Sequence, residues 1–208
     1  MSDLASPRAG AWAIVAGTIM SVGLMMAHPS AVGAMQIGPF DLNVVVHAVA
    51  VQATPLLVFG AFALTQMIGR PLGGLAFAFY LFACVAILSA AIMSGFVMTM
   101  LVEAAHTPGA SRTGIEFQGI ANLTHWQNQA YANVYTGLAA LAVLLWSIAW
   151  REAPVQRVLG VVIGGGTLAW MLTGTLTLNI HGMLLVTLGQ AVWMLFAARK
   201  MLPAKTGG

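Results

Sequence analysis

Five histidines are the side chains in this sequence best suited to coordination chemistry. They are His28, His47, His106, His125 and His181. Imidazole is a common ligand of zinc, copper and iron, and it titrates near neutral pH. Glu103 lies three residues before His106, so on a helix the two side chains share a face and could bind the same ion. These residue types predict a site that binds a metal or protons.

The predicted metal ligands are all five histidines together with one carboxylate: His28, His47, His106, His125, His181 and Glu103. Within this set, Glu103 and His125 are the candidate catalytic residues. The set suits a mononuclear or dinuclear centre of copper, iron or zinc, and haem held by two histidines on facing helices is an alternative. The single Glu-x-x-His pair argues against a carboxylate-bridged di-iron centre, which needs two such motifs.

Polar side chains continue from His125 down the same predicted helix. Asn128 and Gln129 follow it closely, and Gln52 lies in an earlier apolar segment. Lipid penalises exposed amides, so we expect these three side chains to line a polar cavity inside the bundle. The alternative is that these side chains form hydrogen bonds between helices. Such bonds contribute about 0.6 kcal/mol each on average.

The composition is that of a membrane protein. Apolar residues make up 60% of the chain, charged residues only 6%, and the mean hydropathy is +0.90. The apolar runs are long and continuous rather than alternating, which favours helices over a β-barrel. The basic residues are few and are explained by membrane orientation, so nucleic-acid binding has no support. A single cysteine, Cys84, excludes an intramolecular disulfide.

The apolar segments predict an all-α fold, a bundle of six transmembrane helices in one domain. The predicted spans cover residues 11–27, 44–68, 72–101, 129–150, 158–178 and 182–198. The third span is 30 residues long, or about 45 Å, against a bilayer core of about 30 Å, so it must tilt, kink or project. The segment 102–125 that follows is predicted to be a loop that forms a lid.

The basic residues predict the orientation of the bundle. Placing both termini in the cytoplasm puts seven of the eight basic residues inside and leaves only Arg112 outside. All five histidines then lie near the extracytoplasmic face of the inner (plasma) membrane. An alternative is that the first segment is a cleaved signal peptide, which would leave five spans and remove His28.

A faint repeat links two of the predicted helical hairpins. His28 and His47 are 19 residues apart, and so are His106 and His125, with an offset of 78 residues between the pairs. Helices 1 and 2 could therefore be duplicated as helices 3 and 4, and the alternative is chance.

Three functions fit these features. The first is a membrane-bound, metal-dependent enzyme, redox or hydrolytic, that acts on a small or lipidic substrate. The second is a proton-sensitive small-solute transporter or channel. The third is a non-catalytic subunit or assembly factor of a membrane complex. The expected partners are the lipid bilayer, the substrate and other membrane subunits.

Overall fold

The computed structural model describes residues 6–28, 36–37, 40–106 and 114–202, and for residues 36, 37, 40, 106 and 114–116 it describes the backbone alone. The fold is all-α, and 90% of the described residues are helical. The helices are α1 (Pro7–Ala27), α2 (Leu42–Ile68), α3 (Pro71–Ile92), α4 (Met98–His106), α5 (Gly114–Ala149), α6 (Pro154–Gly160), α7 (Gly166–Leu172) and α8 (Ile180–Met201). Two π-helical turns, Met93–Val97 and Val161–Gly165, join α3 to α4 and α6 to α7. Two-residue strands, β1 (Gln36–Ile37) and β2 (Phe40–Asp41), pair antiparallel before α2.

Six helical segments are long and apolar enough to cross a membrane, which confirms the predicted all-α architecture. Within the described chain these segments are Pro7–Ala27, Leu42–Ile68, Pro71–Ala105, Phe117–Ala149, Pro154–Leu172 and Ile180–Met201. Each overlaps one predicted span. The third is longer than the bilayer requires and includes one of the π-helical turns. Duplication of the first two hairpins stays a prediction.

Capping residues fix the ends of the spans. The Asp41 side chain caps the start of α2, and Gly69 ends that helix in the left-handed region at φ 62°. Pro71 then begins α3 at a position where a missing N–H costs nothing. The side chain of Asn179 accepts the Gly182 N–H at 2.9 Å and caps α8.

The segment 102–125 differs from the predicted loop. Its described parts are helical, because α4 continues to His106 and α5 already begins at Gly114. Polar residues alone do not disfavour a helix, and the Glu, Gln, Ala and Leu of this segment all favour one. Residues 107–113, the remainder of the predicted lid, lie outside the described residues.

The connections divide the molecule into two ends. Residues 69–70 join α2 to α3 and residues 150–153 join α5 to α6. We call this the basic end, because it carries Arg8, Arg70, Arg151, Arg157, Arg199 and Lys200. At the opposite end α1 stops beside His28, α2 begins at Leu42, and α8 begins beside His181. We call this the histidine end.

The spans pack mainly as two groups. Helix α1 lies between α2 and α8, and α3 packs along α5. The core formed by both groups lies toward the basic end, where Ile14, Leu64, Val143, Trp146 and Trp193 are fully buried. The remaining space between the groups opens toward the histidine end.

Candidate functional site

A cavity of about 690 Å³ extends from the histidine end into the bundle. On α2 its wall is a stripe that includes His47, Ala50, Thr54 and Leu57, at the spacing of one helix face. From His47 to Leu57 this stripe descends about 15 Å. The volume falls in the range of about 300–1,000 Å³ typical of small-molecule sites. Helices α1, α3, α5 and α8 provide the other walls.

His47 is a buried, hydrogen-bonded polar group in the upper cavity. The residue is only 6% exposed, and its Nδ1 lies 2.7 Å from the backbone carbonyl of Asn43. A carbonyl can only accept, so Nδ1 carries the hydrogen and Nε2 of the neutral ring keeps a lone pair. The ring of His28 meets that of His47 edge to face, with centroids 5.0 Å apart and an interplanar angle of 78°.

The π-helical turn Met93–Val97 packs directly against His47. A Cβ on Gly95 would meet Cβ and Cγ of His47, so this position requires glycine. The Asn43 side chain donates to the Ser94 carbonyl at 2.9 Å and contacts Thr99 Oγ1 at 3.3 Å. The backbone carbonyl of Asn43 therefore holds His47, and the side-chain amide of Asn43 holds the π-helical turn. Turns of this kind occur frequently at functional sites.

The polar rim of the cavity comes from α5 and from the connection before α8. His125, Asn128 and Gln129 line it on α5, and Asn179 lines it beside the start of α8. Gln52, by contrast, is exposed on the outside of α2. It follows the cavity-lining Ala50 by two residues, which on a helix places it on nearly the opposite face.

Tyrosines and the single cysteine surround the deep part of the cavity. Tyr80 and Cys84 line it on α3, and Tyr135 lines it on α5. The Tyr135 hydroxyl donates to Gln190 Oε1 at 2.7 Å. None of these three residues was among the predicted site residues. The signal was present in the four-residue spacing of Tyr80 and Cys84, which continues one helix face through Ala91 to Ser94.

The structure brings three of the five histidines to the cavity. His28, His47 and His125 line it, whereas His181 and Glu103 are exposed and outside the lining. The side chain of His106 lies outside the described residues. In the part of the chain that is described, no three His, Cys, Asp or Glu side chains are placed to hold a metal ion. A single histidine-rich metal centre is therefore not supported, because residues at one end of a bundle can point to different sides of it.

Fold and cavity together define a class of protein: a multi-pass helical membrane protein with a cavity that reaches one end of its bundle. Comparison with known proteins adds no closer relationship, since no family model, no curated protein and no solved structure matches the chain.

Proposed function

We propose that the protein is an integral membrane enzyme that binds a small, largely apolar molecule in the cavity and acts on it through His47. The observation that carries the proposal is the orientation of this imidazole. Its Nδ1–H is fixed to a backbone carbonyl at 2.7 Å in the wall of a 690 Å³ cavity. A histidine held in one tautomer presents its second nitrogen for reaction, as catalytic and metal-binding histidines do.

The cavity favours a neutral ligand. Its described lining contains no Asp, Glu, Lys or Arg, and much of it is aliphatic, with Leu57, Ile87 and Leu88 among its members. A charged molecule would find no counter-ion there and would carry a desolvation cost. Nε2 of His47 can take a proton from such a ligand or return one.

A haem protein is the second candidate, and the same hydrogen bond favours it. Haem iron needs only one or two ligands from the protein, so a three-residue metal cluster is not required. An axial histidine is usually oriented by a bond from its other ring nitrogen, as His47 is by Asn43. A haem protein would agree with the transition metal and the redox chemistry expected from the sequence.

We also propose that the basic end faces the cytoplasm and the cavity reaches the extracytoplasmic side. The support is the placement of Arg70, Arg151, Arg157, Arg199 and Lys200 at one end of the bundle. The substrate would then reach the cavity from the outer leaflet or from the space beyond it. Labelling of a cysteine placed at His181 by an impermeant maleimide in intact cells tests this orientation.

The proposed function is tested by comparing what co-purifies with the wild type and with a cavity-filling variant. Ala91 lines the cavity, so Ala91→Phe should block it, whereas Ala78 on the same helix is exposed and Ala78→Phe should not. Mass spectrometry of organic extracts should find one molecule, near one per chain, with the wild type and Ala78→Phe but not with Ala91→Phe. With His47→Ala, the retained molecule should differ in structure, seen as a change of mass or of fragmentation, because it is not converted.

Three results separate the candidates or contradict the proposed function. A Soret band in the purified wild type that is lost in His47→Ala and kept in His181→Ala would identify the haem protein. Identical bound lipids in the wild type and in Ala91→Phe would show that the cavity is not a binding site. An identical molecule in the wild type and in His47→Ala would indicate binding without catalysis.

A further inference from the structure

A second, much smaller chamber lies directly beneath the main cavity. It has a volume of about 30 Å³ and shares Ser21, Leu57, Tyr80, Tyr135 and Thr187 with the main cavity lining. Its other lining residues all lie farther along their helices toward the basic end: Thr18, Val143, Gln190, Ala191 and Met194. The chamber therefore continues the cavity toward the middle of the membrane.

Two buried polar atoms at this chamber have no hydrogen-bond partner among the described residues. They are Thr18 Oγ1 and Gln190 Nε2, in residues only 4% and 8% exposed. The other half of the Gln190 amide is used, because Oε1 accepts the Tyr135 hydroxyl. An unpaired buried donor costs about 1–3 kcal/mol, so two of them at one chamber point to a further hydrogen-bond partner there.

We propose that the chamber is the deep hydrogen-bonding subsite of the cavity, and that it takes the neutral carbonyl oxygen of an elongated, mainly apolar ligand. The inference rests on the proposed function, in which the cavity binds such a molecule. The Gln190 amide and the Thr18 hydroxyl each supply one donor, and a carbonyl oxygen has two lone pairs to accept them.

The surroundings select a neutral oxygen rather than an anion. The chamber walls include Leu57, Val143 and Met194, and its described lining contains no Lys, Arg or His. A carboxylate or phosphate at this depth would have no cation to balance it. The ligand must also be long, since its carbonyl lies near Leu57, about 15 Å along α2 from His47. Its other end then lies beside His28, His47 and the polar rim.

The experiment uses purified full-length protein with two probes of equal length, 2-undecanone labelled with ¹³C at the carbonyl and undecane. Binding is measured by the shift in Tm, and the infrared carbonyl band of the bound ketone reports hydrogen bonding directly. We expect the ketone to bind about tenfold more tightly than undecane, with its carbonyl band at lower frequency than in empty micelles. Gln190→Met and Thr18→Val should each weaken ketone binding several-fold, reverse part of the band shift, and leave undecane binding unchanged.

Each other outcome overturns the proposal, and the failures can be told apart. Equal binding of ketone and undecane, with an unshifted band, means that the chamber does not take the carbonyl, while the main cavity remains a binding site. A band shift that persists in both variants assigns the hydrogen bond elsewhere. Failure of both probes to bind contradicts the proposed function itself. Thr18→Val is isosteric, so it provides the test even if Gln190→Met does not fold.

Discussion

The basic-end half of the bundle is a packed core, whereas the histidine-end half surrounds an open space. In the basic-end half, Trp146 and Trp193 are fully buried and stacked, with ring centroids 5.8 Å apart and planes within 8°. Both indole N–H groups are satisfied, one by Thr65 Oγ1 at 3.0 Å and the other by the Gln156 carbonyl at 2.9 Å. The histidine-end half encloses the cavity, and at its floor, in the smaller chamber, lie two donors that have no partner among the described residues.

This difference separates stability from binding within one set of helices. Lipid tails are as apolar as the side chains, so helix association in a membrane depends on close packing and hydrogen bonds. The basic-end half supplies both, through its buried core and the hydrogen bonds of its indoles, and it can hold the helices in place around the cavity. Two residues of the chamber wall, Val143 and Met194, belong to the same buried core as the stacked indoles. This packing favours a binding site that is closed at its deep end, rather than a channel that crosses the membrane.

Truncating one leucine in each half gives the largest expected contrast. Leu64 is fully buried in the core, whereas Leu88 is half-buried and already faces the cavity. Leu64→Ala should lower the free energy of unfolding by about 2–5 kcal/mol because it opens a new void. Leu88→Ala only enlarges an existing space, so we expect a loss of about 1 kcal/mol or less. Reversible denaturation of the purified variants measures both values.

The converse result would remove the distinction between the two halves. Equal losses for Leu64→Ala and Leu88→Ala would mean that the cavity is filled by packed side chains in solution. Binding provides a second measurement on the same proteins. Leu88→Ala should change the affinity for an apolar probe, and Leu64→Ala should not.

Glycine substitutions on the fifth span should give a smaller contrast that tests the packing of the basic-end half. A Cβ on Gly160 would collide with Ser147 Oγ, and this hydroxyl is held by the Val143 carbonyl at 2.7 Å. Overpacking of this kind costs about 1–3 kcal/mol, so Gly160→Ala should lower the thermal stability. Gly165→Ala is the matched control, because a Cβ there meets no described atom within 4 Å. A neutral Gly160→Ala would show that α6 is not held closely against α5.

The sequence was sufficient to predict the spans because hydropathy and helix length report on the bilayer directly. All six predicted spans overlap helices able to cross a membrane. Their ends were less accurate, and the largest difference is at 102–125. There the polar residues look like a loop, although the backbone of the described part is helical. Hydropathy shows where a helix leaves the bilayer and does not show where the helix stops.

The site was only partly predictable. Residues predicted at the same membrane face need not point toward the same cavity. His47, His125 and His181 lie at the same end of the bundle, yet only the first two line the cavity. Which face a helix turns inward depends on its rotation and on its neighbours, and a pattern with mean hydropathy this high gives little information about rotation. The same reasoning explains Gln52, which lies on a cavity helix but on its outer side.

The smallest expected effect is at the surface of the basic end, where Arg70 and Glu152 form an ion pair of 2.7 Å between two connections. The pKa of the Glu152 carboxyl is lowered, first by a hydrogen bond from the residue's own backbone N–H and then by the Arg70 guanidinium. The folded pKa is thus below the unfolded one. The pair therefore contributes stability above the unfolded pKa, and this contribution is lost as the pH falls through the folded pKa.

Glu152→Gln should accordingly lower Tm slightly at neutral pH and match the wild type in acid, where the carboxylate is protonated in both states. Arg70→Gln should have a similar effect, and the double variant should add little to either single change. High salt should reduce the difference, because both side chains are exposed to solvent. A large Tm loss in either single variant would mean that the connections, and not only the indole core, hold the basic-end half together.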